Sequence, residues 1–121
     1  MEIKSYKDLI VWQRGLEVVF EIYNITSLFP KSETYALSSQ MRRAAVSIPS
    51  NIAEGRKRRT TKDFLQFLRI ASGSVAELET QIIIAKKVYK EINYQVAESK
   101  LEEVGKMITI FIRKLEETLL G

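Results

Sequence analysis

From Phe64 to Ile92 the apolar positions Phe64, Leu68, Ala71, Val75, Leu78, Ile82, Ala85, Tyr89 and Ile92 keep an unbroken 4-3-4-3 spacing. Only an α-helix gathers residues at that spacing onto one side, since a strand turns its side chains over at every second residue. Four heptads of the pattern predict a long, straight helix that ends near Ile92 and Asn93. Thr60 or Thr61 is placed to cap its start, and Asp63 suits the positive end of its dipole.

The other segments repeat the rhythm. The last carries Ala97, Leu101, Val104, Ile108, Phe111, Leu115 and Thr118, supported by Ile112 and Leu119. The first carries Leu9, Trp12, Leu16, Val19, Tyr23 and Thr26, and beside them a second ladder of Val11, Gly15, Val18, Ile22 and Ile25. Two adjacent ladders make a broad apolar sector. It fits either the central helix of a tight monomer or a subunit interface, and the second ladder supplies the interface candidates. The second segment follows "LFPKSE", where Pro30 stops the first helix and Ser32 is a reasonable cap. Its apolar side, Leu37, Met41, Ala44 with Ala45, Ile48 and Ile52, runs straight through Pro49. Five glycines and two prolines in 121 residues leave little material for the frequent turns of an all-β chain. The expected fold class is all-α: an antiparallel up-down-up-down four-helix bundle, one domain over residues 1–121 with no linker, repeat or low-complexity tract.

Composition removes most catalytic chemistry. Without cysteine there is no thiolate nucleophile, thiolate metal site or disulfide, and without histidine the commonest general base and metal ligand are missing. A di-iron bundle needs Glu-x-x-His motifs, so Glu98 with Glu102 and Glu116 with Glu117 read as solvated faces. No nucleophile–base arrangement or phosphate-cradling glycine loop is visible, so a non-enzymatic protein with no cofactor and no metal is expected. The N-terminal stretch MEIKSYKDLIVWQRG does not have the pattern of a signal peptide. No apolar run approaches the ~18 residues of a membrane span, which makes a cytoplasmic location the expectation.

The charge is concentrated. Of the net +4, residues 34–62 contribute +6, with Arg42, Arg43, Arg56, Lys57, Arg58, Arg59 and Lys62 against Glu54 alone. The same stretch holds Pro49 inside a helical period, which removes an amide hydrogen and costs about 3 kcal/mol if unassisted. Ser47, Ser50 and Asn51 are polar side chains able to bond local backbone or water there. Gly55 either ends the second helix or admits another backbone closely. Seven cations in one zone resemble the electrostatic footprint of a nucleic-acid binder, although a short basic run also fits a solvated loop. In "ASGSVAELETQ" the small residues Ala71, Ser72, Gly73, Ser74 and Ala76 would let a neighbouring helix approach. Glu77 and Glu79 flank Leu78 and could pair with Arg42 or Arg43, with Arg43 to Glu77 the favoured pair.

"FPKSETYALSSQMRRAAVSIPSNIAEG" followed by "DFLQFLRIASGSVAELETQ" resembles the four-helix-bundle proteins encoded within intervening sequences of bacterial 23S ribosomal RNA genes. The likeness extends from about Tyr6 to Leu119. It is carried by Gln40 to Arg43 with Ser47, Pro49, Asn51, Glu54 and Gly55, and by Gly73 and Ser74 with Glu77, Glu79 and Thr80. The family is also similar to the accessory variability protein of diversity-generating retroelements. The resemblance implies a pentameric ring of bundles with a basic surface that associates with RNA or DNA and, in the retroelement case, with a reverse transcriptase. The family's basic positions fall on Arg42, Arg43, Arg56, Arg58 and Arg59. Two departures stand out: Ala36 where many relatives have glycine, and Ser72 where a basic residue is common.

The expectation that follows is a homo-oligomeric bundle binding structured RNA or other nucleic acid through the corner between its second and third helices. The alternative is an oligomeric scaffold that recruits a protein partner without touching nucleic acid. Membrane attachment fits less well, because the cations gather at a corner and not along one side of an amphipathic helix.

Overall fold

The computed structural model describes residues 5–120, so residues 1–4 and Gly121 of the expected 1–121 domain lie outside it. Among the described residues the chain forms a four-helix bundle: α1 (Ile10–Thr26), α2 (Leu37–Arg56), α3 (Thr61–Val88) and α4 (Gln95–Leu120). Each helix packs against the next and α1 closes the ring against α4. Successive helices run antiparallel. Cross-helix partners show it, since their numbers rise on one helix as they fall on the other: Gly15 with Pro49 and Thr26 with Arg42, Ser47 with Ser74 and Gly55 with Phe67, Arg69 with Glu116 and Lys86 with Glu98.

The core follows the ladders. Leu68, Ala71, Leu78, Ile82 and Ala85 of α3 are buried against Met41, Ala44, Ala45, Ile48 and Ile52 of α2 and Ala97, Leu101, Val104 and Ile108 of α4. Fully burying one such aliphatic side chain stabilises by about 1.5–3 kcal/mol. Toward the end of α4 the seam fades, and Leu119 and Thr118 stand in solvent.

In α1 the second ladder is not the interface that its breadth suggested, because both ladders turn mainly inward. Val11, Gly15, Val18, Ile22 and Ile25 are all buried inside the protomer, where they form the wall facing α2 and the core, so they cannot line a contact between subunits. Of the other ladder, Leu9, Val19 and Thr26 are buried as well, Trp12 and Leu16 are half-buried, and Tyr23 alone of the six is exposed. Gly15 is where α1 passes Pro49: a Cβ added to it would lie 3.4 Å from the Pro49 Cβ. Helix α2 continues through that buried proline, and Asn51 Nδ2 donates to the Ser47 carbonyl at 2.8 Å and to Ser47 Oγ at 2.9 Å beside it.

The helix ends differ from expectation in two places. Helix α2 is not capped by Ser32: a 3-10 turn over Lys31–Glu33 delays it to Leu37, its N-cap is Ala36 with no side-chain bond, and Glu33 Oε1 accepts from the Leu37 amide at 3.3 Å. Helix α3 stops at Val88, short of Ile92. Its last turn is held by the Tyr94 hydroxyl, which donates to the carbonyls of Ala85 (3.1 Å) and Tyr89 (3.0 Å). Tyr89 and Ile92 still pack on the core from outside the helix, which is why the apolar spacing runs past its end. At the start of α3, Thr60 Oγ1 accepts from the Asp63 amide at 3.1 Å, as the capping pattern requires.

Candidate functional site

Helices α2 and α3 are joined by Lys57–Thr60 alone, and the packing beneath fixes where that link stands. A Cβ at Gly55 would come within 2.6 Å of the Phe67 Cβ and 2.9 Å of Phe64 Cδ1, so the two helices meet at the glycine. Gly55 therefore serves close approach, while α2 runs on to Arg56. Phe64 in turn meets Phe111 of α4 edge to face, with ring centroids 5.2 Å apart. The corner stands on a rigid aromatic base.

On that base sit Arg56, Lys57, Arg58, Arg59 and Lys62. Arg58 is the one held inward: its guanidinium lies 4.8 Å from the Phe67 ring centroid, and its Nη2 is 2.9 Å from Glu54 Oε1. That exposed i, i+4 pair contributes at most about 0.5 kcal/mol and leaves the cation accessible. Arg56, Lys57, Arg59 and Lys62 form no ion pair among the described residues; Arg56 is half-buried and Lys57, Arg59 and Lys62 are exposed. The corner therefore carries five cations against two carboxylates, Glu54 and Asp63, and is net positive.

Arg42 and Arg43 do not belong to it. Fourteen residues separate Arg42 from Arg56 in the same helix, a rise of about 21 Å. Arg42 is fixed on α1, with Nε donating to Thr26 Oγ1 at 2.8 Å and its guanidinium 4.4 Å from the Tyr23 ring centroid. Arg43 lines a groove of about 580 Å³ with Tyr23 and Tyr35. The expected pair of Arg43 with Glu77 is absent, as are pairs from either arginine to Glu79, because Arg43 is turned to that groove and both glutamates stand on the outer side of α3. The expected single zone of seven cations is two zones.

The small residues of α3 divide as well. Ser74 is buried, and its Oγ lies 2.8 Å from Ser47 Oγ, joining α3 to the Ser47–Asn51 bonds around Pro49. Gly73 and Ala76 face outward, and nothing lies within 4 Å of a Cβ at Gly73, so close packing by a neighbouring helix of the protomer does not account for that glycine. Exposed beside it along the same side are Ile70, Thr80 and Ile84, with Ile83 adjacent.

Sequence reasoning missed Tyr35. Its ring is 96 % exposed in the turn before α2, and its position beside Arg43 depends on how that turn folds. It also missed the tie between Glu33 and Tyr89. There the Tyr89 hydroxyl donates to Glu33 Oε2, and this hydrogen bond, followed by burial, pushes the phenol up to about 12. Neither contact has a local signal, since each joins residues from different elements.

An antiparallel bundle with a rigid cationic corner defines a class: small helical proteins that present charge on a link instead of enclosing a pocket. The chain belongs to the 23S rRNA-intervening sequence protein family, whose model matches residues 7–110. Among solved structures it is similar to a protein of unknown function from the S23 ribosomal protein family of Bacteroides thetaiotaomicron. The TM-score is 0.77 at 24% identity, covering 85% of this chain and 98% of that one, which establishes likeness of fold. No curated protein matches the chain. No helix among the described residues is long and apolar enough to cross a membrane.

Proposed function

We propose that this protein is a non-enzymatic, cytoplasmic, homo-oligomeric bundle that binds structured RNA through the α2–α3 corner. The observation that carries the reading is the set of cations at that corner, Arg56, Lys57, Arg59 and Lys62 without ion pairs among the described residues and Arg58 only lightly held, where α2 and α3 meet closely at Gly55. A phosphate backbone is the partner such a field favours, because each contact releases condensed counterions. Family membership supports the reading, as it places relatives in the context of ribosomal RNA genes. Association of subunits is supported by the outer side of α3, where Ile70, Ile83 and Ile84 lie in solvent around the open Gly73. A pentamer is the state implied by the family resemblance, and light scattering counts the subunits.

The test is an electrophoretic shift of a structured RNA across a salt series. With about five phosphate contacts, log affinity falls against log salt with a slope of roughly −3.5 to −4.5. Reversing Arg56, Arg58 and Arg59 to glutamate abolishes the shift and leaves circular dichroism unchanged; binding that survives the reversal refutes the reading. The same exposed side of α3 also favours a second reading, a scaffold that recruits a protein such as a reverse transcriptase. Copurification of one defined polypeptide without RNA, with a flat salt dependence, selects that alternative.

A further inference from the structure

The second cationic zone has features that the corner lacks. The groove along the outer face of α2 is lined by two arginines and two tyrosines, with hydroxyls including Ser39 and Ser50, and no carboxylate borders it. Three other grooves on the bundle each include at least one glutamate. This one therefore favours an anion. Its aromatic member is unusual: a tyrosine ring 96 % exposed, on a turn tied down on both sides. Glu33 accepts from the Leu37 amide through Oε1 and from the Tyr89 hydroxyl through Oε2, and its carbonyl accepts from the Ala36 amide at 3.0 Å. Tyr35 is thus held in water on a braced support, with both faces unused by the protein. Arg42 is preset against Tyr23 and Thr26, and neither arginine has a carboxylate partner among the described residues.

We infer that this groove takes an unpaired nucleotide of RNA, with its base stacked on Tyr35 and its phosphate on Arg43 beside Arg42. Exposed aromatics beside cations are the usual platform for single strands, because every base has a face to stack and every linkage a charge. The hydroxyls both donate and accept, which suits a ribose 2′-hydroxyl. The groove volume lies within the ~300–1,000 Å³ typical of small-ligand sites. The inference rests on the nucleic-acid reading above and sharpens it: the RNA carries a paired stem for the corner and unpaired nucleotides about 21 Å away along α2.

Fluorescence anisotropy of the full-length protein with a short labelled oligouridine and with a blunt RNA duplex tests it. Tyr35→Ala weakens oligouridine binding by about five- to 150-fold, the stacking free energy of about 1–3 kcal/mol per base expressed as a ratio. Tyr35→Phe, which keeps the ring, stays close to the parent, and duplex binding is unchanged in both. Arg43→Glu weakens the oligouridine in the same way. Because Tyr35 is in solvent, circular dichroism of its variants matches the parent. Duplex binding that responds to the corner reversal, combined with oligouridine binding indifferent to Tyr35→Ala, overturns the groove assignment and spares the corner. Loss with Tyr35→Ala alongside a silent corner reversal does the opposite. Equal affinity for the matching DNA strand overturns the ribose contact, and capture of a protein in place of either RNA overturns both.

Discussion

Placing alanine at Gly55 and at Gly73 should move stability in opposite directions. The Cβ of Gly55→Ala would stand 2.6 Å from the Phe67 Cβ, 2.9 Å from Phe64 Cδ1 and 3.3 Å from the Phe64 carbonyl oxygen. Carbon atoms settle at about 3.5–4.0 Å. A Cβ is one bond from the backbone and cannot rotate aside, so α2 and α3 must part by roughly 1 Å. Overpacking of this kind costs about 1–3 kcal/mol, and a clash with a backbone-fixed atom belongs near the top of that range. Helix propensity returns about 1 kcal/mol for alanine over glycine, leaving a net loss of about 2 kcal/mol. Gly73→Ala meets nothing within 4 Å and its φ lies outside the left-handed region, so only the propensity gain of about 1 kcal/mol remains. Urea unfolding followed by far-UV circular dichroism should separate the two variants by about 3 kcal/mol with similar slopes, and their Tm values by roughly 12 °C. A Gly55→Ala variant as stable as the parent would refute the account of how α2 meets α3, and a Gly73→Ala variant less stable would refute the open setting of Gly73.

The Glu33 carboxylate keeps a proton on Tyr89 that the unfolded chain releases near pH 10, so stability is fully present below that and falls as pH rises from 10.0 to about 12. Tyr89→Phe should remove that part of the alkaline fall in a Tm scan. Glu17 is held below its usual pKa by Lys100 at 2.6 Å, then by Arg14 at 2.9 Å, so its contribution is present above pH 4.5 and lost as pH drops through its lowered folded value. Glu17→Gln should accordingly lower Tm at neutral pH and leave it nearly unchanged in strong acid. Gln81 is buried, and its Oε1 has no hydrogen-bond partner among the described residues, so Gln81→Met should stabilise by about 1–3 kcal/mol in urea titration.

Periodicity carried the fold because it reports directly on which side of a helix is dry. Leu68, Ala71, Leu78, Ile82 and Ala85 could have had no other geometry. It failed at Val88 because Tyr89 and Ile92 reach the core from a turn, and burial alone does not distinguish a turn from another helical step. It misassigned Val11, Val18 and Ile22 because how much of a broad apolar sector faces inward depends on the rotation of α1 against α2, where Gly15 meets Pro49. Charge counting located Arg56 to Lys62 correctly as a cluster, since they are neighbours in the chain. It merged Arg42 and Arg43 with them, because a sum over residues 34–62 discards the length of the helix between. Partners that cross elements, such as Arg42 with Tyr23 or Glu33 with Tyr89, need a register that no single helix contains.

The corner keeps anchorage and chemistry in different residues. Gly55, Phe64 and Phe67 decide where the link stands, while the side chains of Lys57 and Arg59 are exposed and form no ion pair among the described residues. A descendant gene can therefore rewrite the link letter by letter and try new targets on an unaltered frame, while drift in the three residues beneath would be punished at once. Diversity among relatives should gather on the outside of that bend and be scarce directly under it.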